Sequence, residues 1–226
     1  MKNLIKKYRH FSFFIPISLV IIVAISILTF TLTRNTSKSI NQLLQKSIEL
    51  QIDAVYKMLE REYQLNKKIA QNHLNIFSFV FSKSRFETNN EFLEIIAENQ
   101  ITKDKHPVKI QNWYVNKKLL FEDHSLVDTI KFLVGGTATI FQKIDSGYIR
   151  ISTNVLTKEN QRAIGTYIPN NSPVVKTIEK EETFLGRAYV VDDWFLTAYK
   201  PIFDKKQQVI GMLYVGNREK NFEAIK

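Results

Sequence analysis

Apolar and polar positions divide this chain into three regimes. From Phe11 to Thr33 no residue is ionisable, and 23 residues at about 1.5 Å each reach roughly 35 Å, enough to cross a hydrocarbon core of about 30 Å. This predicts one transmembrane helix over 11–33, with Pro16 in its first turns, where a missing backbone donor costs least. Next, Ile40, Leu43, Leu44, Ile48, Ile52, Val55, Leu59 and Tyr63 recur at steps of three and four among Asn41, Gln45, Glu49, Asp53, Lys57 and Glu60. That period predicts one long amphipathic helix over about 36–72. Its stripe fits two roles: packing on the back of a sheet, or forming the seam of a parallel homodimer. The apolar patch from Leu74 to Phe81 and the segment from Glu91 to about Ile101 predict two shorter helices, and Val108 to Leu120 reads as a hairpin around Asn116-Lys117.

The third regime, Gly135 to Gly216, alternates with period two in segments rich in Val, Ile, Thr, Tyr and Phe. Turn clusters at Asp145-Ser146-Gly147, Asp192-Asp193 and 204–208 cut these segments, which predicts an antiparallel meander and a sheet over about 108–217. The fold class expected is therefore α+β. Four pieces occur in a telling order: GGTATIF, the strand Tyr148 to Asn154, Arg162-Ala163-Ile164-Gly165-Thr166, and the closing Ile210 to Gly216. Over these last 80 or so residues the chain resembles the C-terminal half of a Cache domain. This is the PAS-like extracytoplasmic sensor module of bacterial methyl-accepting chemotaxis receptors and sensor kinases. The resemblance implies a single Cache domain over 34–217, followed by a tail at 218–226, with the long helix packed on a PAS-like antiparallel sheet. It also implies a pocket on the sheet face opposite that helix, and dimers. The residues from Val127 to Val134 look like the family's short helical lead-in to GGTATIF.

Charge sets the topology. Lys2, Lys6, Lys7 and Arg9 precede the span, whereas Arg34 and Lys38 are the first basic residues after it. The positive-inside bias therefore places 1–10 in the cytoplasm and the remainder outside, in the periplasm or beyond the cell, with the anchor in the inner (cytoplasmic) membrane. A cleaved signal peptide competes with this reading, but its apolar core is usually about 7–15 residues with a small-x-small cleavage site, and this run is longer and closes Thr31-Leu32-Thr33-Arg34. The formal charge of +10 includes the four basic residues before the span, leaving 28 basic against 22 acidic side chains with no long basic block, so no nucleic-acid partner is expected. Zero cysteines exclude disulfides, thiolate metal sites and cysteine nucleophiles.

Catalytic chemistry finds no foothold. His10, His73, His106 and His124 include no pair at metal-ligand helical spacing, and no HExxH, GxSxG or GxxxxGK[ST] occurs. No enzyme activity, metal or cofactor is expected, and Gly135-Gly136 and Asp192-Asp193 read as turns. Binding chemistry is more promising. In strand 148–155, Tyr148, Arg150, Ser152 and Asn154 share one face and Ile149, Ile151, Thr153 and Val155 the other. The Arg150 guanidinium offers a planar fork suited to a carboxylate, with hydroxyl and amide groups beside it for the rest of a small acid or amino acid. Two hairpin registers are open: a loop of Asp145-Ser146-Gly147 sets Arg150 opposite Gln142, and a loop of Ser146-Gly147 sets it opposite Lys143 with Phe141 and Thr139 on the same side. In a PAS-like fold the segment from Thr157 to Thr183 covers the pocket as a lid carrying Arg162. Trp194 and Tyr199 are candidate aromatic walls, as are Trp113, Tyr114 and Tyr189.

The function expected is a membrane-anchored extracytoplasmic sensor that binds a small molecule, a carboxylate or amino acid, for chemotaxis or signal transduction, as a homodimer or with a separate signalling partner. After Gly216 only ten residues follow, which fits either a stand-alone sensor or the front piece of a larger receptor. Rival readings are a ligand-free anchored adaptor, a pilin-like structural subunit and an anchored enzyme. A pilin needs a leader cut after a small residue and commonly an early Glu, yet Phe11 follows His10 and no Glu precedes Glu49.

Overall fold

No glycine and only Pro16 interrupts the chain before Pro107, so nothing in the sequence stops the first helix early. In the computed structural model, which describes residues 2–218 other than Glu122, with side chains from Pro16 onward, α1 runs unbroken over Lys2–Lys83. The two shorter helices expected after 72 are therefore absent as separate elements. Leu74 and Phe77 continue the same helical face, and α1 ends where the Ser84 N–H turns back to the Val80 and Phe81 carbonyls. The chain divides into two units at Arg61/Glu62. In the first, α1 from Pro16 onward is long and apolar enough to cross a membrane, and the stripe residues from Ile40 to Leu59 are all exposed, at 47–68%. The part of α1 that packs on a core is Ala70, Leu74 and Phe77, with Val80 and Phe81 against the same cluster, in the second unit.

That unit is built on one nine-stranded sheet of order β3-β2-β1-β6-β5-β4-β9-β8-β7. The strands are β1 (Phe86–Asn99), β2 (Lys105–Val115), β3 (Lys118–Leu119), β4 (Thr137–Ile144), β5 (Gly147–Thr153), β6 (Thr166–Pro169), β7 (Phe184–Val190), β8 (Asp193–Phe203) and β9 (Val209–Arg218). Helices α2 (Ser125–Val134) and α3 (Pro173–Ile178) complete it. The segment expected to be an amphipathic helix at 91–101 is instead most of β1. Leu93, Ile95 and Ala97 alternate inward, and ten pairs with β2 outweigh its weak helical period. The sheet thus begins at 86 rather than 108, and it is mixed, because β1 meets β6 in parallel through two residue pairs. The hairpin at Asn116-Lys117 is present, with both residues at positive φ as a two-residue primed turn requires. The tail expected at 218–226 lies outside the described residues except for Arg218.

Two apolar clusters lie on opposite faces of the central strands. One gathers Leu74 and Phe77 of α1, Val127 and Ile130 of α2, and Ile140, Ile149, Ile151 and Leu213 of the sheet. The other gathers Phe141, Tyr148, Tyr199, Met212 and Tyr214 beneath Val174, Val175 and Ile178 of α3. Helix α3 starts on a Ser172 cap, whose side chain accepts from the Val174 N–H, with Pro173 at its first position.

Both registers expected for the β4–β5 hairpin are corrected. Ile144 pairs with Gly147 and Phe141 with Arg150, so the loop is Asp145-Ser146. Gly147 is held close to β6, where an added Cβ would strike the Ile168 carbonyl, and it has a φ of 151°. A β-bulge then shifts the register between Ile140 and Phe141, so that Ile140 faces Ser152 and Thr139 faces Thr153. Beyond the bulge the faces of β5 exchange. Arg150 and Thr153 lie on the side of the aromatic cluster, whereas Ser152 and Asn154 turn toward α2, where Ser152 donates to the Asp123 carbonyl and Asn154 to the Val127 carbonyl.

Candidate ligand site

Arg150 stands in the middle of β5 and is fully buried. Its Nη1 donates to Thr166 Oγ1 at 2.7 Å and its Nη2 to Gln100 Oε1 at 2.8 Å, while the guanidinium lies 4.8 Å from the centre of the Phe141 ring. Thr166 and Gln100 are fixed in turn, since Thr166 donates to the Ala163 carbonyl and Gln100 Nε2 to the Tyr189 carbonyl. Both acceptors are neutral. The Nε–H has no partner, and among the described residues no carboxylate forms an ion pair with this side chain. A buried cation without a counter-charge carries an effective penalty of several kcal/mol. Burial pushes the guanidinium below its usual value, opposed by the neighbouring Tyr199 and Tyr214, yet an arginine stays charged.

The surroundings are aromatic and buried. Pairing across β4, β9 and β8 aligns Arg150 with Phe141 and Met212, and one row further on aligns Thr153, Thr139, Tyr214 and Tyr199. The Tyr199 and Tyr214 rings are 4.9 Å apart, and Phe141 meets Tyr214 edge-on at 6.3 Å. Tyr214 shares a 3.0 Å hydrogen bond with Thr137, but the Tyr199 hydroxyl is buried without a partner. Burial first, then the neighbouring Tyr214 hydroxyl, raises the Tyr199 pKa well above the ordinary tyrosine value, so this group is a neutral donor. Over this face lies α3, tied down at its end: Glu179 accepts from the Tyr148 hydroxyl at 2.5 Å and from Lys143 Nζ at 2.7 Å. Burial acts to raise the Glu179 carboxyl, and these two donors outweigh it and hold it below its usual range.

The seven residues expected at the site are thus distributed. Arg150, Tyr148, Thr139 and Tyr199 share the face covered by α3. Ser152 is on the far side of the sheet because of the bulge. Arg162 is engaged elsewhere: its fork holds both Asp128 oxygens at 2.8–2.9 Å and the Thr153 carbonyl at 2.7 Å, joining the lid segment to α2. Trp194 is 46% exposed at the β7–β8 turn, edge-on to Tyr189 with the Arg187 guanidinium over its ring. Trp113 belongs to the opposite cluster. The sequence reading missed Gln100, Thr166 and Tyr214. Gln100 was hidden by the false helix at 91–101, Thr166 stood in a segment with no periodic signal, and Tyr214 needed the β4–β9 register.

An extended sheet with a membrane-type helix before it, a helical cover and an uncompensated cation beneath that cover has the form of a sensor module. Residues 33–226 match the family described as the Cache 3/Cache 2 fusion domain, and the chain belongs to that family. It is a Cache-type extracytoplasmic sensor domain, and with its apolar N-terminal helix it fits a single-pass membrane protein whose domain lies outside. Cache domains are sensory rather than catalytic, which fits a non-enzymatic role. A search of curated proteins and one of solved structures each gave no match.

Proposed function

We propose that this chain is an inner-membrane receptor whose domain, about 34–217, binds a small carboxylate or amino acid at Arg150 and passes the signal on in chemotaxis or a related transduction pathway. The observation that carries this reading is Arg150 itself, fully buried with a free Nε–H and, among the described residues, no carboxylate partner. An anionic ligand supplies the missing charge. The Tyr199 hydroxyl, also buried and unpartnered, is a second donor toward the same face. The closed cover over this face favours a population-shift mechanism, in which a ligand selects one arrangement of α3 and the sheet.

The exposed stripe supports a homodimer as the working unit. Leu44, Ile48 and Ile52 recur eleven residues later as Val55, Leu59 and Tyr63, a period that keeps a seam along a helix with little left-handed supercoil. The test is a thermal-shift screen of the full chain in detergent micelles against organic acids and amino acids, with Arg150→Met in parallel. A stabilising ligand lost in the variant supports the receptor. Well-folded protein with no response to any carboxylate or amino acid refutes the ligand class and favours an adaptor that works through its stripe.

A further inference from the structure

The sheet is nearly split between β1 and β6, and a cleft of about 920 Å³ lies between the β1–β2 ribbon on one side and the β4–β5 turn, the start of β9 and the end of α3 on the other. Its size is that of a small-molecule site. Lys109, Lys143, Lys176 and Lys180 line it from three separate stretches of chain, against Asp145 and Glu179. Only Lys143 is in an ion pair among the described residues, and its partner Glu179 is shared with Tyr148. The other three form no ion pair among the described residues, and with four lysines against two carboxylates around one concavity like charges oppose one another unless an anion sits between them.

The wall of the cleft adds a second observation. Trp113 and Gln142 both line it, and the Trp113 indole N–H and the Gln142 side-chain oxygen are buried with no hydrogen-bond partner. Both side chains lie on one face of the sheet: the six-membered edge of the Trp113 ring packs on Gly211, where any Cβ would strike it, and Gly211 is the residue paired with Gln142 across β4 and β9. The one is a donor without an acceptor and the other an acceptor without a donor, and hydroxyl groups can answer both, since a hydroxyl donates and accepts. Leaving such buried groups unpaired is costly, so hydroxyls that reach the wall and pair with them are favoured.

We infer that this cleft is a second ligand site, distinct from Arg150, for a small hydroxylated anion such as a sugar acid or a sugar phosphate: the lysines take the charge and Trp113 and Gln142 take a hydroxyl. Its wall includes Val175 and Glu179, so an anion that draws Lys143 away leaves Glu179 held by Tyr148 alone.

Trp113 and Trp194 are the two tryptophans of the chain, so Trp194→Phe makes Trp113 the sole indole reporter. The full chain with this change, in lipid nanodiscs, is titrated with glucuronate and with glucose 6-phosphate, and Trp113 emission is followed. The expected result is a saturable change with at least one of them, weakened roughly tenfold or more, about 1.4 kcal/mol, by Lys176→Glu with Lys180→Glu, and left within about twofold by Arg150→Met. Which of the two binds tells carboxylate from phosphate recognition. The inference is overturned if neither gives a saturable change, if the lysine reversals leave the titration unaltered in protein of unchanged circular dichroism, or if inorganic phosphate alone binds as well. Because Arg150→Met is expected to spare this titration, failure here and failure of the Arg150 reading are separate results.

Discussion

Replacing Arg150 by methionine separates a binding arginine from a structural one. Methionine fills a similar volume with no charge. In place, the guanidinium makes two hydrogen bonds from a charged donor, worth about 1.5–3 kcal/mol each, and a desolvated cation–π contact of about 2 kcal/mol. Against this stand an effective burial penalty of several kcal/mol and the orphaned Nε–H, about 1–3 kcal/mol. The two sides nearly cancel. The variant strands Gln100 Oε1, but Thr166 keeps its bond to the Ala163 carbonyl. After exhaustive dialysis, Arg150→Met should therefore be within about 2 kcal/mol of wild type, which for a domain of this size is a midpoint shift of roughly 4–8 °C or less. Ligand at a hundred times its dissociation constant should add about 2.7 kcal/mol to wild type and nothing to the variant. Differential scanning fluorimetry and urea unfolding of the full chain in micelles measure both. A ligand-independent loss of more than about 3 kcal/mol, the scale of breaking a buried pair, would show that Arg150 is a structural element already compensated, and the argument for an anionic ligand would fall.

Three further outcomes are expected. Gly147→Ala places a Cβ against the Ile168 carbonyl and should destabilise the β4–β6 region by about 2 kcal/mol or more, read by denaturant unfolding; an unchanged midpoint would mean that the β5–β6 approach is looser than described. Burial, with help from the Arg162 charge, lowers the His124 pKa, and burial lowers that of His73. The unfolded chain then binds more protons between the ordinary value near 6.5 and the lower folded values, so stability is full above that pH and declines as pH falls below it. His124→Asn should flatten the decline between pH 6.5 and 5, and a slope of opposite sign would contradict the burial of these rings. The chain contains no cysteine, so Ile48→Cys and Lys57→Cys give clean cross-linking in membranes; the first should form a dimer readily and the second, two and a half turns away on the other side of α1, should not.

The meander was legible because its strands alternate strictly and turn residues fall between them, and the helical stripe because its period is long and unbroken. Beyond 72 the sequence was ambiguous in physical terms. Glu91 to Ile101 carries apolar residues at spacings that serve either a helix or a strand, and pairing with β2 decided between them. The stripe was visible, but not that its residues from Ile40 to Leu59 are left uncovered, because amphipathicity does not say which surface answers it. Arg150 could be singled out by its place in a strand with one polar face. Its partners could not, since Gln100 and Thr166 lie 50 and 16 residues away and a bulge reassigns every side chain after it. Ser152 and Arg162 show the limit: both are polar and well placed in sequence, and both are engaged with α2 or its approach.

That bulge divides β5 between two tasks. Upstream, Tyr148 and Arg150 answer to the covered face; downstream, Ser152 and Asn154 answer to α2. On the reading proposed above, the strand is a modular part: substitutions at 148 and 150 would change what is recognised without disturbing the attachments that hold α2, and changes around α2 would alter the response without altering selectivity. A one-residue insertion or deletion in the hairpin would merge the two tasks and lose both. Variation in this protein should therefore be tolerated as substitution on either side of the bulge and rejected as a change of length across it.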